Sequence, residues 1–209
     1  MVNEQLELVA ALREARSALD AASDGHLVLP VRKRVLVALG EPQYEPRGSG
    51  HGVVTVGLRR RVGLYTRCTR KVLPLWHDVV GSRDPELMLE LAEGYLAGTV
   101  SRDIAWRMQN TFGGTLLNAG AALPPDKYCV SYVGNVAVGT VLTALGDVYF
   151  DPEQSSFLDD DFDVYEASLF AMGAYAGELP WGDGSDPARR REFWTWWIDE
   201  AVPAAAASA

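Results

Sequence analysis

The chain has little of the chemistry that usually announces an enzyme or a metal protein. It has two cysteines, Cys68 and Cys129, with no C-x-x-C pair and no nearby histidine, so neither a disulfide framework nor a zinc cluster is expected. Both read as free thiols in helices, which suits a reducing cytoplasm. The three histidines, His26, His51 and His77, are far apart, and none lies i, i+4 from another ligand type on a helix, so no metal is expected. There is no Gly-x-Ser-x-Gly elbow, although a dispersed triad leaves no mark in sequence. Glycines 48, 50 and 52 lack the Lys-Ser/Thr or the dinucleotide spacing of a phosphate loop. Asp159-Asp-Asp-Phe-Asp163 opens like a calcium loop, but Val164 takes the turn-glycine position and Phe170 the bidentate-glutamate position. No cofactor is expected. No stretch reads as a span of ~20 apolar residues, and Glu4 and Glu7 interrupt any signal-peptide core, so neither a membrane nor a leader is expected.

What is present is a helical chain. With 209 residues, 48% hydrophobic and 22% charged, it can bury a core as one domain without staples. Near the end, three of the six tryptophans fall within four residues of Arg189-Arg-Arg-Glu-Phe-Trp-Thr-Trp-Trp-Ile-Asp-Glu-Ala-Val-Pro203. Asp186 suits an N-cap and Pro187 the first helical position, and Pro203 is expected to end the helix. At 100° per residue, Phe193, Trp194, Trp197, Ile198 and Ala201 share one face, which requires a core to cover it, while Trp196 falls off that face.

Helical spacings recur upstream. Residues 3–22 carry Leu6, Val9, Leu12 and Leu19; a short helix runs from Pro30 to Leu39; and Glu41 to Gly52 is rich in helix breakers. Val53 to Val56 fits either a brief strand or the opening of a helix from Leu58 to Val80, which Pro74 should kink. Asp84-Pro85-Glu86 opens a helix with Leu87, Met88, Leu91 and Ala92 as its stripe, and Ser101 caps another with Ile104, Ala105, Met108, Phe112 and Leu116. The short link between these two implies an antiparallel hairpin. Residues 127–149 read as a central buried helix with Gly134 and Gly139 as close-approach points, and Ser156 opens a further helix ending at Gly177. The expected architecture is all-α, a single-domain bundle of about seven to eight helices.

Charge is segregated. From Tyr128 to Ala188 there is no Lys or Arg, in a chain whose net charge is −9. Acids crowd the same span, and Asp159, Asp160, Asp161, Asp163 and Glu166 cluster near Trp181 and Asp183. First-turn acids stabilise a helix by about 0.3–1 kcal/mol each, yet neighbouring acids repel, so capping alone does not call for all of them. An acidic surface with exposed aromatics suits a binder of a basic protein site, because complementary charge speeds association. The net charge opposes nucleic-acid binding. The basic stripe Arg59, Arg60, Arg61, Arg67, Arg70, Lys71 reads as pairing internally with the acidic C-terminal half; exposed, it would instead mark a nucleic-acid-binding regulator.

Three stretches carry a resemblance: Thr69-Arg-Lys-Val-Leu-Pro-Leu-Trp76, Leu87-Met-Leu-Glu-Leu-Ala-Glu-Gly-Tyr-Leu-Ala-Gly98 with Val100-Ser-Arg-Asp-Ile-Ala105, and Arg191-Glu-Phe-Trp-Thr-Trp-Trp-Ile-Asp-Glu-Ala-Val-Pro203. Across residues 58–206 the chain resembles the all-α immunity proteins of bacterial polymorphic toxin systems, in the fifth numbered immunity family. The resemblance implies a non-enzymatic cytoplasmic protein that binds and neutralises a cognate toxin, with a nuclease among the candidate activities. It assigns no contact residues. Asp159, Asp160, Asp161, Asp163, Glu166, Trp181 and Asp183 are the candidate toxin-binding set on charge and aromaticity. The competing class is a small-molecule-binding bundle or enzyme with a pocket at Tyr128, Tyr132, Asn135 and the tryptophans.

Overall fold

A computed structural model describes residues 2–41, 54–146 and 166–208. Among these residues the only regular secondary structure is helical, with no strand. Helix α1 spans Val2–Ala21, α2 Leu29–Ala38, α3 Val56–Val79, α4 Asp84–Leu96 and α5 Arg102–Ala122. A 3-10 turn at Pro125–Val130 leads into α6, Ser131–Gly146; α7 is Ala167–Ala176 and α8 Pro187–Trp196. A π-helical turn at Trp197–Ala201 joins α8 to α9, Val202–Ala206.

The central helix is α6, packed by α3, α4, α5 and α7. Its backbone is approached closely, as its glycines predict. A Cβ on Gly134 would sit 2.0 Å from Leu116 Cδ1, and one on Gly139 would lie 3.2 Å from the Ala167 Cβ. One expectation needs correction, because Pro125–Gly146, 22 residues long, contains an 18-residue window of mean hydropathy 1.5, long and apolar enough to cross a membrane. Two-thirds of that window is buried inside the protein (67%), which is the environment of a core helix.

The terminal rod forms as its caps dictate. The Asp186 carboxylate accepts from the Ala188 and Arg189 amides at 2.8 and 3.3 Å, with Pro187 at the first position. Phe193, Trp194, Trp197, Ile198 and Ala201 are all buried. Edge-to-face contacts at 5.2 Å (Phe193 to Trp194) and 5.7 Å (Trp194 to Trp197) knit them together. Burying this face contributes on the order of 10 kcal/mol before chain entropy is set against it. Trp196 slides against α3, where the Lys71 ammonium lies 5.1 Å from its ring centroid. Pro203 does not end the rod. The π-turn, closed by the Val202 amide donating to the Trp197 carbonyl, widens the backbone ahead of the proline and lets the helix continue to Ala206.

The rod is pinned to α1 by arginines that satisfy its terminal carbonyls. Arg191 donates to the Leu19 carbonyl at 2.6 Å and to that of Ala22, and Arg190 Nε donates to the Asp24 carbonyl at 3.0 Å. Gly25, at φ +70°, is required where it stands, since a Cβ there would meet the Pro187 carbonyl oxygen at 2.3 Å. Only the second half of α1 is docked this way; Leu6 and Val9, expected on a buried stripe, are exposed.

Thr55 decides how α3 begins. Its hydroxyl accepts from the Leu58 amide at 3.0 Å, so the helix opens at Val56 and residues 54–56 do not pair as a strand. Helix α3 runs through Pro74, an exposed position where water can take up the orphaned Arg70 carbonyl. Among the described residues the basic stripe bonds mostly to backbone carbonyls; Arg61 is buried and Arg60 half-buried, while Arg59, Arg67, Arg70 and Lys71 are exposed, and acids 147–163 of the C-terminal half lie outside the described residues. Buried Arg61 donates to the carbonyls of Leu36, Gly40 and Glu41 at 3.2, 2.8 and 3.1 Å. Arg59 caps α4 at the Leu96 carbonyl, 3.2 Å away, and Arg70 pairs with Glu93 at 3.1 Å.

Candidate functional site

Helix α7 begins at Ala167 because Glu166 is extended (ψ 137°) and caps it, its carboxylate accepting from the Ser168 amide at 2.8 Å. The part of the expected helix from Ser156 to Tyr165 lies outside the described residues. The other carboxylate oxygen of Glu166 accepts from Arg32 Nε at 2.9 Å, and both side chains are buried. Arg32 also donates to the Leu27 carbonyl at 2.6 Å, and its guanidinium sits 5.1 Å from the Trp194 ring centroid. Glu166 is therefore an interior residue, not part of an acidic surface. Its charge is matched by an arginine that is remote in sequence.

The same node continues inward. Ser168 Oγ accepts from the Trp197 indole N–H at 3.0 Å and lies 3.8 Å from Cys68 Sγ. Burial, with a smaller push from Glu166, drives the Cys68 thiol far above its usual range, so it stays protonated and is no nucleophile. Cys129 is half-buried and is also raised, chiefly by burial. Accordingly, a thiol reagent at neutral pH should modify Cys129 slowly in the folded protein and reach Cys68 only on unfolding. Rapid labelling of Cys68 under native conditions would contradict this packing.

The node has the ingredients of chemistry, yet they are committed to joining α2, α3, α7 and the terminal rod. No group of three or more His, Cys, Asp or Glu among the described residues is placed to hold a metal. Of the residues expected to line a pocket, Tyr128 is exposed and Asn135 half-buried, while Tyr132, Trp194 and Trp197 are packed. Tyr132 is buried against Tyr128 and Phe170, at 5.8 and 5.9 Å between ring centroids, and Trp194 and Trp197 are fully enclosed.

Trp181 and Asp183 are displayed together on the loop between α7 and α8. That loop is braced. Gly184 donates to the Glu178 carboxylate at 3.1 Å, Ser185 Oγ to the Glu178 carbonyl at 2.8 Å and the Asp186 amide to the Ala176 carbonyl at 3.0 Å. Buried Leu179 plugs it against Gly173, and Gly177, at φ +96°, closes α7. Trp181 is 47% exposed and Asp183 is exposed, so a large aromatic and an acid stand on a fixed scaffold facing solvent. Asp159, Asp160, Asp161 and Asp163 lie outside the described residues.

A second surface was not anticipated. Leu87, Ile104 and Met108, expected in the core, are 43–44% exposed, and Trp106 is 46% exposed. Leu87, Ile104 and Met108 wall a groove of about 440 Å³ between α4 and α5, floored by Met88 and Phe112. The sequence held one signal: with Ile104, Ala105, Trp106, Met108 and Phe112, α5 has apolar positions over a wider arc than one neighbour can cover.

A family model described as Immunity protein Imm5 matches residues 12–204. The chain belongs to the Imm5 immunity protein family. A search of curated proteins finds no match. The Imm5 match takes in the second half of α1 and the breaker-rich stretch from Glu41 to Gly52, both of which the motif resemblance left out. Imm5 membership implies a toxin as partner and a family that is generally non-enzymatic. The closing aromatic motif of this Imm5 protein builds the fold, because Phe193, Trp194 and Trp197 are wholly buried.

Proposed function

We propose that this Imm5 protein neutralises a cognate toxin in the cytoplasm by stoichiometric binding, without catalysis. The family match over residues 12–204 carries the reading. The described interior supports it, since its strongest polar node is consumed in packing. Two exposed features suit a protein interface: the α4–α5 groove, whose apolar walls would supply burial, and the rigid loop bearing Trp181 and Asp183. Tryptophan is among the residues that most often dominate binding energy. The acids Asp159, Asp160, Asp161 and Asp163 would add steering toward a basic toxin surface, such as the phosphate-binding site of a nuclease.

The test is co-expression with the product of the gene immediately upstream, scoring rescue of growth and co-purification. Wild-type chain should rescue and co-purify in equal amounts. Trp181→Ala and Met108→Asp, both at exposed positions, should keep the wild-type melting temperature and weaken the complex by about 30-fold or more, as central contacts do. Full affinity in both variants would remove these surfaces from the interface. An active toxin that the chain neither binds nor relieves would defeat the reading itself.

A further inference from the structure

Three helices meet around two half-buried rings, Tyr175 near the end of α7 and Trp196 in α8. Lys71 reaches over both from α3, its ammonium 5.5 Å from the Tyr175 centroid and 5.1 Å from that of Trp196. Arg189, in the first turn of α8, sets its guanidinium 4.9 Å from the Tyr175 centroid. Both cations are exposed, and among the described residues neither has a carboxylate within ion-pair distance. Glu192, one turn beyond Arg189, is engaged otherwise, accepting from the Tyr175 hydroxyl at 2.5 Å. Position makes Arg189 the more telling of the two cations. Arg189, Arg190 and Arg191 all stand near the N-terminus of α8, where the helix dipole disfavours positive charge. Arg190 and Arg191 are accounted for by the carbonyls of Asp24, Leu19 and Ala22. The Arg189 guanidinium has only a ring to offset its placement. This face also adjoins the loop that carries Trp181, since the charges of Arg189 and of Glu178, which braces that loop, both reach the Cys129 thiol.

We propose, resting on the toxin-neutralising reading, that this face receives an acidic segment of the cognate toxin, with carboxylates on Lys71 and Arg189 and apolar atoms against the Tyr175 and Trp196 rings. Charge decides the class of partner. Two exposed cations without counter-ions call for anions, and complementary charge both speeds association and fixes register. Protein carboxylates fit better than nucleic acid, because a chain of net charge −9 repels a long polyanion, whereas a short acidic segment meets chiefly the local field. Tyrosine, tryptophan and arginine are the residues richest in binding energy at interfaces. Here the rings already hold the cations in place, so less side-chain freedom is lost when a partner docks. With the exposed acid Asp183 on the adjoining loop, the toxin would meet both signs of charge, which excludes a reversed orientation.

The experiment uses the toxin encoded immediately upstream and three full-length chains: wild type, Lys71→Gln/Arg189→Gln and Lys71→Glu/Arg189→Glu. Affinities are measured from about 0.1 to about 0.5 M salt. The glutamine variant should keep the wild-type melting temperature, bind about tenfold more weakly at low salt and show a shallower salt dependence; the glutamate variant should bind about 100-fold more weakly. A second measurement needs no variant. An amine-reactive label read by mass spectrometry should modify Lys71 in the free wild-type chain and lose most of that labelling in the complex, with buried Lys33 as the internal control. Undiminished labelling of Lys71 in the complex, or wild-type affinity in the folded glutamate variant, would overturn the proposal and leave neutralisation standing. A lowered melting temperature with unchanged affinity would overturn it too, by marking the cations as packing alone. Saturable binding of a single-stranded oligonucleotide that the glutamate variant loses would assign the face to nucleic acid instead. An active toxin that wild type does not bind would remove the underlying reading as well.

Discussion

Glu166→Ala should destabilise the protein by about 3–5 kcal/mol, because it removes one member of a buried ion pair. Arg32 is fully buried, and Glu166 is the carboxylate that answers its guanidinium at 2.9 Å. The substitution also removes the cap from α7, where the Ser168 amide loses its acceptor at 2.8 Å. Removing both charges has a different consequence. In Arg32→Met/Glu166→Met both members of the pair are gone, and apolar side chains of similar length refill the space, so the double variant should be more stable than Glu166→Ala even though it carries more changes. Chemical denaturation of the three proteins checks both statements. A loss below about 1 kcal/mol for Glu166→Ala would show that this pair does not hold the node together.

Trp197→Ala should cost a similar amount, about 3–5 kcal/mol, through the cavity left by a fully enclosed indole. For a chain of this length each kcal/mol moves the melting temperature by roughly 2–4 °C, so a fall of about 10 °C is expected. Part of the loss is polar, since the Trp197 indole N–H donates to Ser168 Oγ at 3.0 Å. Trp197→Phe isolates that part and should cost less than the alanine variant while stranding the serine. Trp194→Phe makes the contrast, because the Trp194 indole N–H is buried without an acceptor and its removal relieves an unmatched donor. Thermal unfolding should therefore rank Trp194→Phe above Trp197→Phe, and both above Trp197→Ala. A Trp197→Ala melting point close to wild type would show that the terminal aromatic face is not central to the fold.

The terminal rod was legible because its signals are local. Asp186 and Pro187 fix where it starts, and a 100° wheel places Phe193, Trp194 and Trp197 on one side. Pro203 misled for the opposite reason: a proline stops a regular α-helix, and the π-turn that accommodates it has no sequence signature of its own. Glu166 was misread because nothing near it in sequence is basic; its partner, Arg32, lies 134 residues away. Arg61 reads as pairing with an acid, and nothing in the sequence shows that the carbonyls of Leu36, Gly40 and Glu41 close around it. Periodicity identified the apolar faces of α4 and α5 without telling whether a neighbour would cover them, and the groove lined by Leu87, Ile104 and Met108 is that uncovered remainder. Trp181 and Asp183 were correctly placed together on a loop, but the brace from Glu178 that makes the loop rigid is visible only in three dimensions.

Stoichiometric neutralisation is the central claim, and the direct measurement is a titration of purified active toxin with this protein, at toxin concentrations well above the dissociation constant. The account predicts that toxin activity falls linearly and reaches zero at one equivalent, with the toxin recovered chemically unchanged and active once the complex is dissociated in denaturant and refolded. Loss of all activity at a small fraction of an equivalent, progressing with time and persisting after dissociation, would contradict it and identify a catalytic inactivator.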